Sequence, residues 1–140
     1  MESNSRPMED IPVPVKLKLA ALWTSVMFLY IYADYFGLYV PGALQKMLYG
    51  QMPPLGAVTQ GVLLGTSLML AIPALMIFLS VALKPGLSRW LNIVFGVVYT
   101  LIICITMWNW QFYILYGVLE IGLTGLVVWY AWKWPRTLED

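Results

Sequence analysis

The chain has 140 residues, 61% of them hydrophobic and 11% charged, and a formal net charge of +1. A soluble domain carries about a quarter charged residues and a nucleic-acid binder presents a basic face, so the composition argues against both. One cysteine, Cys104, and no histidine leave no intrachain disulfide, no C-x-x-C redox pair and no usual zinc or other metal set. With no nucleophilic serine motif and no cofactor fingerprint, the chain does not read as an enzyme.

Taken from the start, residues 1–14 are polar, proline-containing and free of aromatic rings, which predicts a loose tail. The remainder, 15–140, reads as one domain. A hydrocarbon core of about 30 Å takes roughly 20 apolar residues in helical form. Four stretches qualify: Leu19–Val40, Ala57–Leu83, Trp90–Trp108 and Phe112–Trp132. None shows the alternation of a barrel strand. The first is longer than the apolar region of a signal peptide, about 7–15 residues, and no A-x-A-like site follows it, so it reads as a span.

Breaker chemistry separates the spans. Pro41-Gly42 ends the first, Pro53-Pro54-Leu55-Gly56 precedes the second and Lys84-Pro85-Gly86 ends it. Asn109, Trp110 and Gln111 offer a polar turn, without which residues 90–132 would form one helix too long to span. In the connection 41–56, Leu44, Met47 and Leu48 fall at helical spacing. They predict a short interfacial helix, serving as an anchor or as a cover over the bundle's outer end.

Four spans put both termini on one side. That side holds Arg6, Lys16, Lys18, Lys84, Arg89, Lys133 and Arg136, against Lys46 alone on the other, so the positive-inside rule makes both termini cytoplasmic. The expected architecture is an all-α, integral membrane four-helix bundle, with lipid bilayer as its first partner.

Helices already in lipid associate through close packing and interhelical hydrogen bonds. In the second span Ala57, Gly61 and Gly65 form small-xxx-small steps, while Thr59, Thr66, Pro73 and Ser80 recur every seven residues on another face. Pro73 removes a backbone donor and frees the carbonyl of Met69. Asn92, Gly96, Tyr99 and Thr106 share a stripe of the third span, and the fourth offers Gly117, Thr124 and Gly125. Packing is the reading for most of these.

Two charges lie within the spans, Asp34 and Glu120. Counted from the outer span ends, they sit about 9 Å and about 12 Å deep at 1.5 Å per residue. An acid there costs about 2–3 kcal/mol on the insertion scale, and no basic residue within the spans offsets it. Tyr30 and Tyr116 each precede an acid by one turn; Gln60 and Thr106 enter at shallower depth, and Tyr99 lies beneath. If the acids meet, they titrate as a coupled pair sharing a proton. A structural role, with an acid bonded to a tyrosine or to the freed carbonyl, is the competing reading.

The runs from Val13 to Trp23, Tyr30 to Gly42, Thr59 to Thr66 and Arg89 to Gly96 are distinctive. Across residues 11–136 the chain resembles an uncharacterised bacterial family of small four-span membrane proteins, a domain of unknown function. That likeness implies a multi-pass protein of the bacterial inner membrane and brings no activity, cofactor or site. A looser likeness, in size and span count, is to DoxX-like membrane proteins. The leading functional expectation is a transporter-like protein, dimeric because four spans are thin for alternating access. It would bind a proton, a cation or a small amine around Asp34 and Glu120. The alternative is a membrane accessory protein that holds a lipid or partner helix, with the acids structural.

Overall fold

The computed structural model describes residues 11–135. The first ten residues of the expected tail, and the basic residues Arg6 and Arg136, lie outside that range. Four long helices dominate: α1 (Val15–Gly37), α3 (Gln60–Ala82), α4 (Pro85–Thr106) and α5 (Gln111–Trp132). All four are long and apolar enough to cross a membrane. Between α1 and α3 run a short helix, α2 (Ala43–Leu48), and a hairpin of two-residue strands, β1 (Gln51–Met52) and β2 (Gly56–Ala57).

The boundaries follow local chemistry and in places correct the sequence reading. Pro14 immediately precedes α1, so Lys16 and Lys18 fall within its first turn. Pro85 occupies the first position of α4, where its missing N–H is no loss; it starts a helix as well as ending the previous one. Thr59 caps α3, its hydroxyl accepting from the Val62 N–H at 3.2 Å. Ala57 belongs to β2, outside the helix, which removes it from the small-residue steps. The polar turn before Gln111 separates α4 from α5 as expected.

Packing closes a ring in which α1 lies between α3 and α5, and α4 lies between α5 and α3; the α3–α4 contact is the thinnest. Each helix turns a stripe with three- and four-residue spacing inward. On α1 these are Leu19, Trp23, Val26 and Ala33; on α5, Gly117, Glu120, Thr124, Val127 and Ala131. Such spacing is the seam of a left-handed bundle. Gly96 lets α4 approach α5 closely: a β-carbon there would lie 2.7 Å from Val128 Cγ2.

The end that carries the termini, here the basic end, is tied by polar contacts. Trp23 Nε1 donates to Asn92 Oδ1 at 2.7 Å, and the Ser80 hydroxyl reaches the same oxygen at 3.1 Å. Asn92 Nδ2 donates to the Ser88 carbonyl at 2.8 Å, and Ser88 Oγ to the Ser80 carbonyl at 3.0 Å. All four side chains are fully buried, and together they join α1, α3 and α4. Lys16 Nζ caps α3 through the carbonyls of Val81 and Leu83, at 3.0 and 2.6 Å. Arg89 does the same for α5 through Ala131 and Trp132. A cation at a helix C-terminus meets both the orphan carbonyls and the dipole.

Gly61 and Gly65, expected at a packing interface, are exposed. A β-carbon on Gly65 would meet nothing within 4 Å, and one on Gly61 only Thr59 Oγ1 at 3.9 Å. The helices that would need so close an approach pack on other faces of α3. Nor does α2 cover the bundle: none of its residues is buried, Leu48 is 85% exposed, and its main contact is with β1.

Candidate functional site

Helix register locates the two acids. A β-carbon on Gly37 would collide with the Tyr113 hydroxyl, Phe36 stacks on Tyr116 with centroids 6.5 Å apart, and Lys18 lies over the Tyr130 ring. These three contacts fix the antiparallel pairing of α1 with α5. They set Tyr30 about level with Glu120, and Asp34 about level with Tyr116, so that each acid lies across from the other helix's tyrosine at 1.5 Å rise per residue. Glu120 is therefore four residues, or about 6 Å, deeper than Asp34, which widens the expected offset of about 3 Å. The cause is that α1 ends at Gly37, three residues short of the predicted span end.

The pairing places the two acids on facing helices, with Tyr30 level with Glu120 and the Tyr113 hydroxyl against Gly37, three residues beyond Asp34. Their environments differ. Glu120 is 5% exposed on the inward stripe of α5, whereas Asp34 is exposed beside the buried Ala33.

Among the described residues neither carboxyl group receives a hydrogen bond, and neither joins an ion pair. No buried side-chain oxygen or nitrogen among those residues is left unpartnered, so the Glu120 carboxyl is not sealed in apolar packing. A carboxyl within a span that takes no hydrogen bond from the protein is costly to ionise.

The remaining expected members divide. Tyr99 lies beneath the acids as the floor, 2% exposed, edge-on to Trp23 at 6.0 Å, with its hydroxyl donating to the Met69 carbonyl. That carbonyl is the one Pro73 leaves without a helical donor, so tyrosine and not an acid satisfies it. Below Glu120, Thr124 pairs with Thr100 at 2.7 Å and joins α5 to α4. Gln60 and Thr106 drop out of the cluster. Both are exposed, Gln60 in the first turn of α3, and Thr106 bonded to its own Ile102 carbonyl at 2.9 Å. Tyr113 was missed; its spacing from Glu120, two helical turns, was the available signal.

Lys46 is exposed on α2 and makes no ion pair with either acid among the described residues. No group of three or more histidine, cysteine, aspartate or glutamate residues comes together among them. Two carboxyls with no further charged ligand suit a proton or an organic monovalent cation better than a divalent metal, which takes six or more oxygens.

No curated protein and no solved structure matches the chain, and no comparison supports a likeness to DoxX-like proteins. A family of unknown function, DUF6326, matches residues 14–138. With four membrane-length helices and a match over nearly its whole length, the chain belongs to the DUF6326 family of unknown function.

Proposed function

We propose that this protein is a non-enzymatic, multi-pass membrane protein that binds a monovalent cationic group, an ammonium or a proton, between α1 and α5 in a transporter-like role. The observation that carries the reading is Glu120, 5% exposed and without a hydrogen-bond or ion-pair partner among the described residues, on the helix packed against the one that carries Asp34. Intramembrane acids of this kind mark ion and proton pathways. The neighbouring rings of Tyr30, Tyr113 and Tyr116 suit an ammonium through cation–π attraction. The surplus of basic residues at the terminal end supports an orientation with that end in the cytoplasm and the acids near the outer face.

The test is equilibrium binding of tetramethylammonium to the full chain in phosphatidylcholine nanodiscs. Saturable binding that is lost in Asp34→Asn and Glu120→Gln, with both variants folded, supports the proposal. Equal binding by all three proteins, or none by the wild type, contradicts it. The accessory-protein reading is favoured by the exposure of Asp34 on the bundle's outside, and it differs in predicting binding without gradient-driven flux in liposomes.

A further inference from the structure

The inward stripe of α3 loses burial along its length. Ser80, Met76 and Pro73 are buried, but Met69 is 40% exposed, and Thr66 and Val62, next on the same stripe, are only half-buried. From Gln60 to Ile72 no residue of α3 is buried. On α1, α4 and α5 the stripe stays closed beyond this level, at Ala33, at Ile103 and Met107, and at Gly117. Helix α3 therefore leans away from the bundle toward the end remote from the termini.

Asp34 lies on the flank this opens. Lys16 and Asp34 are eighteen residues apart on α1, about five turns, so they project from the same side. Lys16 reaches the α3 carbonyls of Val81 and Leu83, so that side faces α3. The same interval separates Lys18 from Phe36, and both meet α5, through Tyr130 and Tyr116. Eighteen residues back from Leu83 along antiparallel α3 is Gly65, which puts Val62 and Thr66 across from Asp34. Entry along the bundle axis is closed instead: Met107 is 9% exposed and seated against Gly117, where an added β-carbon would lie 2.7 Å from Met107 Cβ.

We infer that the cleft between α1 and the leaning half of α3 is a lateral entrance from the bilayer for a single-chain amphiphilic ammonium compound, its head at Asp34 and Glu120 and its tail in lipid. This rests on the binding reading above and names its ligand class and route. The chemistry selects against a phospholipid, since the cleft presents the Asp34 carboxyl and, among the described residues across from it, no basic side chain to take a phosphate. A free long-chain amine or quaternary ammonium has the complementary charge and only apolar substance besides.

The experiment compares dodecyltrimethylammonium with tetramethylammonium on the full chain in phosphatidylcholine nanodiscs, with partitioning into empty discs subtracted. Binding of the long-chain probe should be saturable, tighter than that of the tail-less one, and lost in Asp34→Asn. Thr66→Leu should narrow the cleft and weaken the long-chain probe by about tenfold, as displacing about two methylenes from a protein surface would, while tetramethylammonium binding stays unchanged. Val62→Phe, one turn farther from the buried part of α3, should do the same if Thr66→Leu folds poorly. Equal affinity for the two probes, with no effect of either cleft variant, would overturn the lateral entrance and leave the cation site standing. Displacement of the probe by phosphatidylethanolamine added to the discs would overturn the choice of ligand. Absence of binding by both probes would remove the site itself.

Discussion

The two halves of this bundle solve the problem of polar groups in lipid in opposite ways. At the basic end every buried polar side chain has a protein partner: Trp23, Ser80, Ser88 and Asn92 satisfy one another across three helices, and Lys16 and Arg89 close two helix ends. In the other half Glu120 has no partner among the described residues, Asp34 is exposed, and no residue of α3 from Gln60 to Ile72 is buried. Side-chain hydrogen bonds that join three helices at one end, and none to either acid among the described residues at the other, separate a half that holds the fold from a half free to hold something else. In lipid, where apolar burial does not drive helix association, such saturated networks and close contacts are what remains to fix geometry.

The contrast is broken most sharply at Asn92. Asn92→Ala strands the buried Trp23 N–H and removes an acceptor from Ser80, and should cost about 3 kcal/mol, from about 1–3 kcal/mol per stranded group, in denaturant unfolding of the detergent-solubilised protein. Glu120→Gln should change the same midpoint by no more than about 0.5 kcal/mol, as a substitution that breaks no protein contact does. A comparison of glycines comes next. Gly96→Val forces a side chain into Val128 and should destabilise by about 1–3 kcal/mol, whereas Gly65→Ala, entering open space, should be neutral or slightly stabilising. Tyr99→Phe sits at the boundary of the halves; it removes the donor to the Met69 carbonyl and should cost about 1 kcal/mol. Lys16→Met should cost least, about 0.5 kcal/mol for one helix C-terminus, read from the same unfolding curves.

What was legible in the sequence is what length and composition dictate: four apolar spans, the basic bias of one end, the proline that frees Met69, and the two acids. What was not legible depends on helix rotation. Only α4 has a clear amphipathic face; the others are apolar nearly all round, so the sequence does not say which side of α3 meets a neighbour. Gly61 and Gly65 therefore read as an interface and stand free, while Asn92 and Ser80 read as simple packing and form a hydrogen-bonded hub with Ser88. Ser88 lies between the apolar stretches that predict the second and third spans, and the structure places it in α4 because Pro85 starts that helix. The acids were found because charge in a span is conspicuous whichever way it turns. The full size of their depth offset was not, because it hangs on α1 ending at Gly37 and on the register set by Phe36, Gly37 and Tyr113.

The central claim, that one half holds the fold and the other holds a ligand, is tested most directly by a crossed unfolding experiment with Asn92→Ala and the Asp34→Asn/Glu120→Gln double variant. Each is unfolded with and without tetramethylammonium at about a hundred times its dissociation constant, where a bound ligand adds about 2.7 kcal/mol. The account predicts a low midpoint for Asn92→Ala that rises with ligand, and a near-wild-type midpoint for the double variant that does not move. A double variant that unfolds on its own, or one that ligand still stabilises while Asn92→Ala no longer responds, would contradict it.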